Sequence, residues 1–195
     1  GMILNKLGKS NRLFARKCEI KEVDLKELKV FLEENHLQGY CNFKIGIGLY
    51  FENKLVSIIT LGKPRFNKES QWELLRFCNK IGIQVVGGFS KMLKYFIQNY
   101  GPESILSYSD KDYGRGNVYI KNGFKFIRDS KFSYFYAKDY IRHNRLEFQK
   151  HKLKNKLKVY DTTKTELENM LNNKYFPIFT CGNSVYLWRN TKLLS

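Results

Sequence analysis

A chain of 195 residues, 43% of them hydrophobic, carries enough apolar material for one buried core and too much for a disordered polymer. No apolar run approaches the roughly 20 residues that cross a bilayer as a helix, so a membrane role is not expected and a cytoplasmic location is. Lys and Arg total 35 against 18 acids, a net charge of +17, an excess that attracts polyphosphate and that a lysine-rich solvated surface would also explain.

The positive charge is clustered. Residues 1–17 hold Lys6, Lys9, Arg12, Arg16 and Lys17 with no acid, and read as a basic N-terminal arm. Residues 18–24 then read as a short strand. Asp24 and Glu27 have the spacing of a capping box, and Leu25, Leu28, Phe31 and Leu32 follow at helical spacing up to Gly39. From Phe43 the period becomes two: Phe43, Ile45, Ile47, Leu49 and Phe51 alternate with Lys44, Gly46, Gly48 and Tyr50. Glu52-Asn53-Lys54 is a turn, and residues 55–62 are apolar on both faces, as a central strand requires. A polar loop over 63–71 leads to a strand over 72–78. After Gly87-Gly88, Ser90 is placed to cap a helix from Lys91 to Tyr100, which Gly101-Pro102 ends. A strand over 104–110, a short helix around Val118–Ile120 closed by Gly123, and an aromatic hairpin made of 124–128 and 132–138 follow.

Beyond residue 139 the composition changes. Residues 141–160 hold seven Lys or Arg and one acid, Glu147. Thr163 and Glu166 suggest a second capping box, and residues 178–188 a hairpin turning at Gly182-Asn183. The expected division is an arm (1–17), a mixed, mostly antiparallel α/β domain (18–139) and a basic C-terminal extension (140–195). Cys18, Cys41, Cys78 and Cys181 are scattered, and His36, His143 and His151 lack ligand spacing, so free thiols and no metal are expected.

Chemistry concentrates in two segments. Residues 85–93 (VVGGFSKML) run from strand through two glycines into a helix start, where unpaired amides and the helix dipole favour an anion. A plain structural turn explains the same glycines. The second segment is 117–124 (NVYIKNGF).

These two segments, with the strand order, resemble GNAT acyltransferases over residues 18–138. The resemblance implies that Val86, Gly87, Gly88, Phe89, Ser90 and Lys91 hold acetyl-CoA or a related acyl donor, and that Tyr119 is a general acid for the departing thiolate. Phe89 stands where the family has a small residue. If its ring enters the cleft, the donor is excluded; Val85, Val86 and Met92 offer it an inward, apolar alternative. The run LGKP (61–64), ELLR (73–76), GGFSK (87–91), SYSDKDYG (107–114) and VYIKNGF (118–124) further resembles phage DNA-modification proteins of the Mom type, which alter N6 of adenine. The C-terminal part resembles tails of phage homing-endonuclease-associated proteins. These likenesses imply a phage or prophage source and functional roles for Arg76, Ser90, Asp110 and Tyr119.

Each of these residues also has a structural explanation: a salt-bridge partner for Arg76, a helix cap for Ser90, a turn cap for Asp110 and a core ring for Tyr119. The leading expectation is a transferase acting on DNA bases, with Arg142, Arg145, Lys150, Lys152, Lys154 and Lys156 holding phosphates. A non-catalytic DNA-binding protein with a degenerate donor loop, and an acetyl-CoA-dependent N-acetyltransferase, are the alternatives.

Overall fold

The computed structural model describes residues 2–64 and 70–191, and the chain divides into two compact units. Unit 1 comprises Gly1–Tyr108, Gly116–Arg128 and Val185–Ser195; unit 2 comprises Ser109–Arg115 and Asp129–Ser184. None of the described helices is long and apolar enough to cross a membrane.

Unit 1 begins with α1 (Met2–Lys6) and β1 (Asn11–Phe14), so the basic arm is structured rather than extended. A 3-10 turn over Ala15–Lys17 leads to β2 (Glu19–Glu22), α2 (Leu25–Asn35), β3 (Ile45–Phe51), β4 (Lys54–Gly62), β5 (Trp72–Asn79) and β6 (Ile83–Val86). Then come α3 (Gly88–Tyr100), β7 (Ser104–Asp110), α4 (Asn117–Ile120) and β8 (Lys125–Asp129). Most of the expected 63–71 loop, residues 65–69, lies outside the described residues. The β3–β4 turn places Glu52 and Asn53 at φ of 50° and 58°, the left-handed pair that matches strand twist in a two-residue hairpin.

A seven-stranded sheet runs β2-β3-β4-β5-β7-β12-β8, where β12 is Asn183–Arg189. Its β2/β3, β3/β4 and β4/β5 pairs are antiparallel and its β5/β7 pair is parallel, which is the mixed sheet expected. Its central strands β3 and β4 are buried on both faces. On one lie α3 and α4, with Ile47, Leu49, Ile59, Leu61, Leu74, Phe89, Met92, Phe96 and Tyr119 in one cluster. On the other lies α2, with Leu28, Phe31 and Leu32 packed on Ile58 and Tyr50. The glycines of the alternating β3 stretch face α2: a Cβ on Gly46 would sit 2.1 Å from Leu28 Cδ1, and one on Gly48 2.5 Å from Val23 Cγ2. Small residues there let the helix approach the sheet, so what looks like a polar face in the sequence is a second core.

Unit 2 carries β9 (Ser133–Lys138), β10 (Ile141–His143), a 3-10 turn over Arg145–Phe148, α5 (Lys150–Leu153), α6 (Glu166–Asn172) and β11 (Phe176–Thr180). Its sheet is β10-β9-β11, antiparallel throughout, over a small core of Tyr136, Phe148, Leu153, Leu157 and Met170. Asn169 and Asn173 on α6 tie down the preceding loop: Asn173 bonds both backbone groups of Val159, and Asn169 both of Asp161.

Several expectations give way here. β8 and β9 do not form a hairpin, because β8 joins the large sheet and β9 pairs with β10 and β11. β11 and β12 also part at Gly182 (φ 77°) into different sheets. The expected boundary at residue 139 therefore falls inside unit 2, and the expected extension supplies β12 to the main sheet. The second capping box is Thr165–Glu168, two residues later than expected, because Thr163 is engaged by the Asp161 carboxylate. Asp24 caps α2 through the Lys26 amide, but Glu27 accepts from the Tyr50 hydroxyl at 2.6 Å instead of closing a box.

Candidate active site

The middle of the large sheet holds an interruption. β4 and β5 shift register between Thr60 and Leu61: Thr60 faces Arg76 while Leu61 faces Leu74, leaving Leu75 as an extra residue. This bulge puts Glu73 and Arg76, three apart, on the same face, and Leu74 and Phe77 together on the other. On its opposite edge, among the described residues, β5 pairs with β7 through Trp72–Leu74 against Ile105–Ser107. Among the described residues that register ends at Leu74, and the Leu75 carbonyl beyond it accepts from Arg76 Nη1.

β6 follows, and β1 lies parallel to it with Arg12 opposite Gln84 and Phe14 opposite Val86. Gly87, at φ 77°, is the N-cap of α3. Gly88 is also constrained, because a Cβ there would sit 3.0 Å from Val85 Cγ1 and 3.4 Å from Leu49 Cδ1. The helix thus begins at Gly88, three residues before the expected start, and Ser90 is an exposed first-turn residue rather than its cap. The first amides of this 13-residue helix have no intrahelical acceptor.

Phe89 turns inward. It is 3% exposed and packs edge-on against Phe77 at 5.0 Å and Tyr119 at 5.6 Å. The ring is part of the core and does not stand over the glycine turn, which removes the feature that most favoured a degenerate donor loop. Lys91 is committed: its ammonium donates to the carbonyls of Ala15 and Cys18 at 3.1 and 2.6 Å, fastening the 3-10 turn of the N-terminal segment to α3.

Tyr119, on α4, is buried. It stacks on Tyr186 at 5.3 Å, meets Phe124 edge-on at 5.5 Å and shares a hydrogen bond with Ser107. Burial raises its pKa above the ordinary phenol value, so the hydroxyl keeps its proton at neutral pH. Ser107 itself donates to the Leu74 carbonyl at 3.3 Å, at the last paired position before β5 and β7 part. Gly116, the N-cap of α4 at φ 66°, leaves room for Tyr186, whose ring would lie 2.3 Å from a Cβ at that position.

Arg76 lies on the α2 face, where Nε donates to the Gly39 carbonyl at 3.2 Å and Nη1 to that of Leu75 at 2.9 Å. His36, the C-cap of α2, accepts at Nδ1 from the Gln38 amide; burial and then the nearby Arg76 charge lower its pKa to about 4. Asp110 ends β7 within unit 2, where its Oδ1 accepts from the Asp112 amide at 3.0 Å and its carbonyl from those of Tyr113 and Gly114. That is the turn-capping geometry.

Sequence reasoning missed three residues. Tyr186 comes from the stretch read as an extension, and only its strand-like alternation hinted at its burial. Ser107 gave no signal beyond its place in an apolar run. Glu73 is 1% exposed on β5, and its type and position in the ELLR run were the available clue.

The six cations expected to hold phosphates all fall in unit 2. Lys150 and Lys154 are exposed. Lys152 donates to the Leu146 carbonyl at 2.9 Å, and Lys156 approaches Glu147 at 3.8 Å. Arg142 lies over the Phe135 ring at 4.0 Å; Arg145 lies over that of Tyr134 at 4.4 Å and near Glu166 at 3.6 Å. All four cysteines are free, and the described residues contain no cluster able to hold a metal ion.

No family model matches the chain, and no curated protein matches it. Solved structures do. A Bacillus subtilis acetyltransferase in complex with CoA is 13% identical, with a TM-score of 0.51 over 89% of this chain and 99% of that one. A PaiA N-acetyltransferase from Thermoplasma acidophilum in complex with coenzyme A is also 13% identical, over the same shares, at a TM-score of 0.49. The first likeness shows the fold: a mixed α/β sheet flanked by helices, of the GNAT acetyltransferase kind.

Proposed function

We infer that the protein is an acyl-CoA-dependent transferase that acylates an amine, and that the amine belongs to a nucleic acid. One observation carries the first part. β5 and β7 part after Leu74, beside a helix that starts on two constrained glycines with Phe89 turned into the core.

The residues present suit such a donor. Gly87 has only Ala15 near its Cβ position, at 3.9 Å, so the turn is not filled from that side. The first-turn amides of Gly88, Phe89 and Ser90 would hold the pyrophosphate, and the pantetheine would lie where β5 and β7 part beyond Leu74. When bound, the donor supplies an acyl group on a thioester with a thiol as leaving group. Burial keeps the phenolic proton on Tyr119, against the Ser107 hydrogen bond, which lowers its pKa, and the stack on Tyr186 orients the ring. A proton on an oriented acid is what a departing sulfur needs. Lys91 takes no part in donor binding, since its ammonium is used on Ala15 and Cys18.

The net charge of +17 supports a polyanionic acceptor. In its narrowest form this reading makes the acceptor the N6 amine of adenine in DNA, which must leave the stack to react. Isothermal titration with acetyl-CoA tests the donor: saturable heat is expected, and no heat in wild type or in Phe89→Ala sinks the reading. Mass spectrometry of nucleosides from DNA incubated with protein and donor tests the acceptor. An acyl adduct is expected with wild type and is reduced in Tyr119→Phe. Donor binding with every nucleoside unmodified would move the acceptor elsewhere.

A further inference from the structure

The small sheet of unit 2 has one face that its own core does not use. Strand alternation sends Tyr134 and Tyr136 toward the cluster formed with Phe148, Leu153, Leu157 and Met170. Ser133, Phe135 and Ala137 therefore point the other way. Strand register places Ile178 opposite Phe135, and Phe176 and Arg142 opposite Ala137 on its two sides, all on that second face. Phe176 is 57% exposed and Ile178 45% exposed. The Arg142 guanidinium lies 4.0 Å from the Phe135 ring centroid.

Composition narrows the occupant. None of these strand positions carries a carboxylate. Asp112, an acid that feels the Arg142 charge, already accepts from the Cys181 amide, and its pKa is lowered first by Cys181 and only last by Arg142. Residues 129–184 hold eleven Lys or Arg against six acids. A second copy of the chain would bring the same positive charge against this face, whereas a polyanion is drawn to it. The exposed Phe176 ring and the half-buried Phe135 ring beside a cation suit a ligand with both flat apolar surfaces and phosphates. Bases inside a duplex cannot reach such rings; those of a single strand can.

We propose that this open face binds single-stranded nucleic acid, with one base on the Phe176 ring and another on the Arg142–Phe135 stack. Phe135 and Phe176 occupy diagonal positions on neighbouring strands, about 7–8 Å apart at the backbone, a span that neighbouring bases of an extended strand can bridge. Arg142 also meets a phosphate between them. The proposal extends the nucleic-acid part of the functional reading, and it is independent of the acyl donor.

Fluorescence anisotropy of the full chain with a labelled 15-nucleotide single strand and with its duplex, without acyl donor, tests it. Tighter binding to the single strand is expected. Phe176→Ala should weaken it about tenfold with an unchanged salt slope, since a stacked base is lost and no charge. Phe176→Tyr should restore it. Arg142→Ala should also reduce the log–log salt slope by about 0.7, the value for one phosphate of a single strand. Equal binding of duplex and single strand, or a change below twofold in Phe176→Ala, overturns the proposal. So does loss of binding to anionic phosphatidylserine vesicles in Phe176→Ala while oligonucleotide binding is untouched, which would make the face a membrane contact. Because neither the donor titration nor this assay uses the other's ligand, failure of one is distinguishable from failure of the other.

Discussion

Replacing Phe89 by Ala separates the two roles its position invites. The ring is 3% exposed and wedged between Phe77 and Tyr119, on the face where α3 meets the sheet. Truncating a core Phe removes its transfer free energy and leaves a cavity, together about 3–5 kcal/mol. The two edge-on contacts, each about 0.5–1.5 kcal/mol, lie within that figure rather than on top of it. For a chain of this size about 1 kcal/mol moves the melting temperature by about 2–4 °C, so a drop of about 6–20 °C is expected. Urea denaturation gives the free energy directly, and acetyl-CoA titration well below the transition reads the remaining folded protein. That folded fraction should bind acetyl-CoA as wild type does, because the ring is not in the donor's space. A cost under about 1 kcal/mol would show the ring is not buried. Donor binding that appears only in Phe89→Ala would show that the ring fills the cleft, and would refute the geometry derived above.

The other expectations are more local. Gly116→Ala forces a side chain into the left-handed region and to within 2.3 Å of the Tyr186 ring, so thermal melting should show a loss above about 2 kcal/mol. Tyr186→Ala in the same chain should relieve the clash but not the backbone strain. Asp110→Asn keeps an oxygen for the Asp112 amide, so stability should change by less than about 1 kcal/mol; any loss of transfer activity is then chemical, and a large melting shift would contradict the turn-capping role. His36 is held neutral in the folded protein, with a pKa near 4 against 6.5 in the unfolded chain. Between those values the unfolded state takes up the extra proton, so stability falls as pH drops from about 6.5 to about 4, and His36→Asn should flatten the dependence of the urea midpoint on pH. Replacing Lys150, Lys152, Lys154 and Lys156 together by Ala should flatten the salt dependence of DNA binding by less than four phosphates' worth, because Lys152 and Lys156 already have protein partners. An unchanged slope would place the phosphate contacts elsewhere.

What the sequence alone determined about this chain is local and periodic. Alternation over 45–51, the two-sided apolar run at 55–62, the helical spacing of Leu28, Phe31 and Leu32, and glycines at 87, 101 and 123 each report a constraint on neighbouring residues, and each is found in place. So is the glycine turn of the candidate site, with the mixed sheet around it. Partner choice was decided by the tertiary structure, because a strand's periodicity says which residues share a face and nothing about which strand lies beside it. That is why 124–138 and 178–188 read as hairpins while β8, β9, β11 and β12 join other partners, and why the Tyr186 stacked on Tyr119 was hidden in an apparent extension. Long-range choices also settled the side chains. Only the bulge at Leu75 puts Arg76 on the face of Glu73, and only the 3-10 turn at Ala15–Lys17 explains where the Lys91 charge goes. Phe89 lies between these cases: its neighbours in sequence favoured an inward ring, but the pocket that accepts it is made by Phe77 and Tyr119, 12 and 30 residues away. Burial of that ring depends on contacts closed by the fold, so the inward turn of Phe89 is a property of the tertiary structure rather than of the GGF triplet.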